Sequence, residues 1–145
     1  MLYSSDYSPQ SLAMGDFNND NLMDITTANY NNDNIDIYFG YGNGTFYLNN
    51  ITLETGSQTK PYAIAVGMFN NDTFLDIIVV NYGSNNVGIF LGYGDGSFMD
   101  MKVFAIGYGS LPFSILPGHF NNDQMLDFVV ANEGTDNLKI FLQTC

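Results

Sequence analysis

The sequence predicts an all-β protein, and three observations lead to that prediction. Short apolar runs rich in β-branched residues recur along the chain, as in residues 76–81, and such runs are typical of buried strands. Asn-Gly and Asp-Gly pairs, which favour tight hairpins, stand between later runs at Asn43-Gly44 and Asp95-Gly96. No stretch carries the apolar period of an amphipathic helix.

A polar stretch of nine residues marks the start of each unit of an internal repeat. It begins at Asp16, returns at Met68 and returns again at His119, so the units are 52 and 51 residues apart. Units of about fifty residues with several short strands are typical of propeller blades. The predicted repeats span residues 11–61, 62–111 and 112–145, with residues 1–10 as the terminal strand of a neighbouring blade.

Each repeat has its strands in the same order. A first strand precedes the polar stretch, a second follows it, a third comes after a polar turn, and a fourth leaves a glycine hairpin. The predicted first strands are residues 12–14, 62–66 and 113–116; the second are 24–29, 76–81 and 127–132; the third are 35–39, 87–91 and 138–142; the fourth are 47–53 and 99–105. The second strands read as buried on both faces, and the last repeat ends without a hairpin or fourth strand.

Composition describes a folded domain with an unusual charge. Of 145 residues, 46% are hydrophobic and 15% aromatic, which is enough to bury a core. The chain has 3 Lys+Arg against 15 Asp+Glu, a net charge of −12. Because so few basic groups cannot neutralise phosphates, we expect no nucleic-acid partner. No segment approaches the roughly 20 apolar residues of a transmembrane helix, so we expect no membrane insertion.

The first polar stretch, loop one, has the donor pattern of a calcium loop. Its predicted donors are the side chains of Asp16, Asn18, Asp20 and Asp24 and the backbone carbonyl of Leu22. Calcium takes six to eight oxygen ligands, which alternating Asp and Asn residues in a tight loop can supply. A polar turn between two strands is the alternative, since Asn and Asp are common turn residues.

The combination of polar loop, buried strand and glycine hairpin resembles FG-GAP/VCBS repeats, the blades of integrin α-subunit propellers and of many secreted proteins. The resemblance implies three four-stranded antiparallel blades, circularly offset, that form part of a β-propeller. It also implies that the loop between the first two strands of a blade binds Ca²⁺.

The other two loops are predicted to bind calcium weakly or not at all. Met68 and His119 replace the first carboxylate, and affinity for a hard cation follows the charge of its ligands. The sixth place holds Asn21 in loop one, which tolerates a positive φ, whereas the β-branched Thr73 of loop two resists it. The remaining donors are Asn70, Asp72, Asp76 and the Phe74 carbonyl in loop two, and Asn121, Asp123, Asp127 and the Met125 carbonyl in loop three.

Catalysis has little support in the sequence. The chain has one His, one Cys and no Arg, and no Ser or Cys stands in a nucleophile motif. Paired carboxylates occur, but Asp20 and Asp24 are spaced as metal ligands. We therefore expect a non-enzymatic protein.

The expected function is that of a structural or adhesion module outside the cell. Three blades leave a hydrophobic face at each end, and head-to-tail contact would build a ring or a filament. The predicted partners are further copies of the chain or further blades of the same parent chain. In the assembly hypothesis the N-terminal strand completes the third blade of another copy. Cys145 is the only cysteine, so it is expected to be the cut end of a precursor or to pair with another chain.

The alternative function is a ligand-binding propeller fragment with lectin-like or integrin-like recognition of an extracellular protein or glycan. Tyr41 and Tyr93 at equivalent hairpin positions, and Tyr30 and Tyr82 at equivalent turns, would form a stacking platform or cover blade edges. For location, the sequons at Asn43 and Asn50 predict glycosylation and an extracellular or cell-surface protein. A third sequon, at Asn71, lies inside loop two and is the least favourable acceptor.

Overall fold

The structure is a computed structural model that describes residues 8–47 and 51–143. The described residues form eleven β-strands and no helix, and so no helix there could span a membrane. The prediction of an all-β chain is confirmed. The strands are β1 (Pro9–Gly15), β2 (Asp24–Asn29), β3 (Asn34–Tyr38), β4 (Ile51–Glu54), β5 (Pro61–Gly67), β6 (Asp76–Asn81), β7 (Asn86–Phe90), β8 (Lys102–Ala105), β9 (Pro112–Gly118), β10 (Asp127–Asn132) and β11 (Asn137–Phe141).

The strands form three antiparallel sheets, which we call the first, second and third blades. The first blade has the order β1-β2-β3-β4, the second β5-β6-β7-β8, and the third β9-β10-β11. The three blades therefore repeat one topology, and the third has three strands among the described residues, as predicted. The sheets do not close into a ring.

Most strand bounds differ from the predicted ones by one or two residues, and larger differences include the starts of β1 and β8. β1 begins at Pro9 and pairs with β2 across an irregularity between Pro9 and Ser11, so residues 9 and 10 belong to the first blade and not to a neighbouring terminal strand. β8 begins at Lys102, because the register changes between the Gly92↔Phe98 bridge and the Ile89↔Lys102 pair. The predicted N-terminal strand, Asn50 and Cys145 lie outside the described residues.

Hydrophobic cores form between the blades. The first core joins the first and second blades and includes Ile35 and Ile37 on one side and Ile77 and Val79 on the other. The second core joins the second and third blades and brings Ile78 and Val80 of β6 against Phe128 and Val130 of β10. The second blade thus contributes to both cores.

Burial of the second strands follows from this arrangement. All six residues of β6 are buried, as predicted. In β2, Ile25 and Thr27 are only half-buried, and in β10 the same holds for Val129 and Ala131. The prediction of burial on both faces is therefore wrong for β2 and β10, because no blade among the described residues covers their outer faces.

One position in the third strand differs in chemistry from blade to blade. Asp36 in β3 is 1% exposed and accepts hydrogen bonds from Asn29 Nδ2 at 2.9 Å and from the Thr52 hydroxyl. A Cβ on Gly88, the equivalent residue in β7, would lie 2.3 Å from Met101 Sδ. Lys139 in β11 instead donates to the backbone carbonyls of Ala105 and Ile106.

Replacing a residue of β6 tests the central position of the second blade. Ile78→Ala removes a fully buried side chain from the second core, and we expect a loss of about 2–5 kcal/mol in the free energy of unfolding. Chemical denaturation followed by circular dichroism measures it. The control, Val103→Ala at a residue 54% exposed, is expected to cost less than about 0.5 kcal/mol. Equal losses would contradict the assignment of the core.

Candidate metal centre

Each polar loop is fixed at its end by a buried aspartate. In loop one (residues 16–24), Asp24 is fully buried, its Oδ2 accepts from the Phe17 amide at 2.8 Å, and its Oδ1 accepts from the Gly40 amide at 2.9 Å. Asp24 therefore ties the start of its loop to the start of the hairpin that follows β3. Asp76 does the same for Phe69 and Gly92 in loop two (residues 68–76), and Asp127 for Phe120 and Gln143 in loop three (residues 119–127).

The other predicted metal ligands of loop one make hydrogen bonds within one turn. Asp16 accepts from the amides of Asp20 at 3.1 Å and Asn21 at 2.8 Å. Asp20 accepts from the Leu22 amide at 2.8 Å and from Asn18 Nδ2 at 3.0 Å. Each carboxylate oxygen has a second lone pair, so these bonds leave acceptor capacity for a cation.

Loops two and three repeat part of this pattern. The third residue of each donates its side-chain amide to the fifth, which also accepts from the backbone amide of the seventh. These contacts are Asn70 to Asp72 at 2.7 Å and Phe74 to Asp72 at 2.8 Å in loop two, and Asn121 to Asp123 at 2.7 Å and Met125 to Asp123 at 2.9 Å in loop three.

Burial and hydrogen bonding act in opposite directions on the pKa of the aspartate at the ninth position of the loop. Burial raises the pKa of Asp24, its two backbone hydrogen bonds lower the pKa, and the neighbouring charges of Asp20 and Asp16 raise it again. Burial also raises the pKa of Asp76, two backbone hydrogen bonds lower it, the charge of Asp72 raises it, and the charge of Lys102 lowers it. A bound cation would favour the charged form of either carboxylate.

Loop two departs from loop one at its first and sixth residues. Met68 offers no carboxylate and is 51% exposed. Asn21 has a φ of 65° and Gln124 a φ of 69°, whereas the φ of Thr73 is not positive. The β-branched Thr73 thus changes the backbone of the turn, as the sequence predicted.

Loop three uses one of its predicted donors internally. The Nδ1 atom of His119 lies 2.8 Å from the backbone carbonyl oxygen of Met125, and it must donate because a carbonyl oxygen only accepts. The first and seventh residues of the loop therefore bond to each other. This contact was not predicted from the sequence. The signal for it was His119, a side chain that can donate a hydrogen bond, at a position where a metal ligand was expected.

Loop one is also held by the second blade. Asn19 Nδ2 donates to the Gly94 carbonyl at 2.9 Å, and the Gly96 amide donates to the Phe17 carbonyl at 3.0 Å. Phe17 also packs edge-on against Phe98, with ring centroids 5.9 Å apart. The sequence analysis missed these contacts, which join residues about 75 positions apart.

The carboxylates alone do not form a metal-ligand cluster. Across residues 8–47 and 51–143, no three His, Cys, Asp or Glu side chains come together as such a group. The oxygen set of loop one therefore depends on the Asn18 amide and the Leu22 carbonyl beside its three carboxylates. This oxygen-only set fits the chemistry of a hard cation.

The tyrosines of the predicted platform pack against other tyrosines. Tyr30 and Tyr82 both contact Tyr62, with centroid distances of 6.2 and 5.6 Å. Tyr41 stacks on Tyr47 at 3.9 Å. The turn tyrosines thus form one cluster around the start of the second blade.

The hairpin sequon has a defined local geometry. Asn43 is exposed, and its Oδ1 accepts from the amide of Thr45 at 3.0 Å and from its hydroxyl at 2.7 Å. The sequon hydroxyl therefore already faces the side-chain amide that would carry a glycan.

Three sheets of one topology, stacked through shared cores, define a propeller-like ligand-binding or structural module. A family model described as "FG-GAP-like repeat" matches residues 16–79 and 69–130. The chain belongs to the FG-GAP-like repeat family, whose repeats are propeller blades. A search of curated proteins finds no similar sequence.

Two substitutions separate the structural role of Asp24 from metal binding. In the presence of EDTA, Asp24→Asn is expected to cost about 1–3 kcal/mol in the free energy of unfolding, because one buried backbone amide loses its acceptor. The control, Asp20→Asn, removes the same charge at an exposed residue and is expected to change stability little without metal. Denaturant titration measures both. If the two variants lost the same free energy of unfolding, the buried hydrogen bonds of Asp24 would not be the cause of its loss.

Proposed function

We propose that this protein is a non-enzymatic, calcium-binding structural or adhesion module of the extracellular space. In this proposal it assembles head to tail through its terminal blades, of which the third has three strands among the described residues. The observation that carries the calcium part is the donor set of loop one, where five residues in one turn offer only oxygen atoms. The loop joins two strands and touches the next blade, so an ion there would stiffen the scaffold.

The residues that would hold the ion are those predicted from the sequence: Asp16, Asn18, Asp20, Asp24 and the Leu22 carbonyl. A bound Ca²⁺ would supply positive charge between carboxylates that otherwise repel each other. Asp20 and Asp16 are negative neighbours that raise the pKa of Asp24, and a bound cation would offset that repulsion. Ion binding would therefore stabilise the folded state.

Contacts in the other loops support the proposed ranking of the sites. His119 already donates to the Met125 carbonyl in loop three, so one lone pair of that predicted ligand is in use, and the first position of the loop supplies no carboxylate. In loop two the charge of Lys102 acts on Asp76, and a cation would meet that charge. Loop one has neither competitor, and we propose it as the principal site.

Calcium titration tests this proposal. We expect one dominant site by isothermal titration calorimetry and a higher melting temperature with calcium than with EDTA. Asp16→Asn should weaken binding about tenfold or more, because affinity follows ligand charge. The control, Glu133→Gln, removes one charge from an exposed turn of the third blade and should leave binding unchanged. Three equal sites, or a melting curve that ignores EDTA, would contradict the proposal.

The geometry of the hairpin sequon supports extracellular location. A secreted glycoprotein would present Asn43 on an exposed tip, and the Thr45 hydroxyl already faces its amide group. Expression through a eukaryotic secretory pathway should give a mass increase that a glycan-removing enzyme reverses. Asn43→Gln should lose the part of that increase that one glycan contributes, whereas the control Asn71→Gln should retain all of it. An unmodified Asn43 in the secreted protein would contradict the expectation.

The tyrosine cluster favours recognition of a ligand as the second candidate function. Tyr30, Tyr62 and Tyr82 lie together, and Lys60 Nζ is 5.2 Å from the Tyr30 ring centroid. Clustered tyrosine rings offer apolar faces and hydroxyl groups to a ligand, and a nearby lysine adds a positive charge for acidic groups. A glycan array and negative-stain microscopy decide between the candidates. Specific glycan binding that is lost in Tyr82→Ala would favour recognition. No glycan binding, together with polymers in the micrographs, would favour the structural module.

A further inference from the structure

We propose that the outer face of the third blade packs on the outer face of the first blade in a second copy of this chain. The contact would repeat the interface that already joins neighbouring blades. This inference rests on the head-to-tail assembly of the proposed function and specifies the residues that meet.

The outer face of the third blade repeats the face that the second blade uses in the second core. Phe69, Ile78, Val80, Val87, Ile89 and Leu91 pack there. The residues 51 positions later form the outer face: Phe120, Val129, Ala131, Leu138, Ile140 and Leu142. Leu138 is 70% exposed where its equivalent, Val87, is fully buried. The third blade therefore presents one complete half of an inter-blade interface.

The outer face of the first blade presents the other half. In the first core, the second blade contributes Ile64, Val66, Leu75, Ile77, Val79, Phe90 and Phe98. The equivalent residues of the first blade, 52 positions earlier, are Leu12, Met14, Met23, Ile25, Thr27, Tyr38 and Phe46, of which Thr27 and Tyr38 are half-buried. Met14 is 61% exposed and Leu12 66%. Both halves of one apolar contact thus lie on the same chain.

The glycine hairpins show the same complementarity. Gly96 is buried, and a Cβ there would lie 2.7 Å from Phe39 Cζ of the first blade. Gly44, its equivalent, is exposed, and a Cβ there would meet no atom within 4 Å. A groove of about 340 Å³ beside it is lined by residues that include Met23 and Phe46. In a second copy, Leu142 is the equivalent of Phe39 and would occupy that space.

Polar and aromatic contacts define the register of the proposed interface. Within the chain, Gly96 donates to the Phe17 carbonyl, so Gly44 of one copy would donate to Phe120 of the other. Asn122 would donate to Gly42 as Asn19 donates to Gly94. Phe120 would meet Phe46 as Phe17 meets Phe98.

A second copy is the occupant that these faces favour. Each copy carries a net charge of −12, which opposes association, but the exposed side chains on both faces are apolar and uncharged. Two copies would give six blades, within the four to eight of known propellers. If the rotation does not close, the same contact gives an open filament.

Complementing substitutions test the interface. Met14→Asp disables the first-blade face and Leu138→Asp disables the third-blade face, each by placing a charge in the apolar contact. Light scattering coupled to size exclusion should show a multimer for the unaltered chain and a monomer for each variant alone. An equal mixture of the two variants should give a dimer of doubled mass, because each supplies the intact face that the other lacks. The control, Tyr108→Asp at a fully exposed loop residue, should remain multimeric.

The outcomes separate this inference from the broader proposal. Circular dichroism and melting curves establish that each variant is folded, which is expected because both residues are largely exposed. A multimer unaffected by either variant would overturn this interface and leave assembly standing. A monomeric unaltered chain would overturn both this interface and the proposed assembly. Calcium binding would not be affected by that result, because the calcium titration tests it separately. Monomeric variants that do not form a dimer when mixed would overturn the head-to-tail pairing.

Discussion

Burial between blades is the interaction on which the rest of this structure depends. Among residues 8–47 and 51–143 no blade has a core of its own: nearly all the buried hydrophobic side chains belong to two clusters, each shared by two sheets. A single sheet of this kind would expose an apolar face on each side. The second blade is covered on both faces, and each terminal blade on one. Order along the chain therefore decides how well each repeat is stabilised.

Each polar loop adds hydrogen bonds within its own blade to the packing between blades. A buried aspartate closes each loop by accepting two backbone amides, so the carboxylate is useful with or without an ion. This dual role explains why Asp76 and Asp127 stand in loops whose other donors are compromised. In loop one the same residue belongs to a larger oxygen set, and the next blade holds that loop through Asn19 and Gly94.

Much of the fold was predictable because the repeat is explicit in the sequence. The runs that became β2, β6 and β10 are β-branched and begin with aspartate, and the spacing of the units indicated one topology used three times. Partner contacts were not predictable in the same way. The bond from His119 to Met125 depends on a side-chain rotamer, and the contact of Asn19 with Gly94 depends on how two blades pack. The sequence reports which residues could be donors, and tertiary packing decides which acceptors they reach.

The position shared by Asp36, Gly88 and Lys139 has a consequence for the history of the chain. The position holds a buried aspartate in the first repeat, a glycine in the second and a lysine in the third. Each of these residues has different neighbours. Duplication of an ancestral unit would begin with identical blades, yet these three can no longer replace one another. A lysine in the place of Asp36 would lose the hydroxyl and amide that now bond to the acid. At this position each repeat therefore depends on the neighbours that it has in its own place along the chain.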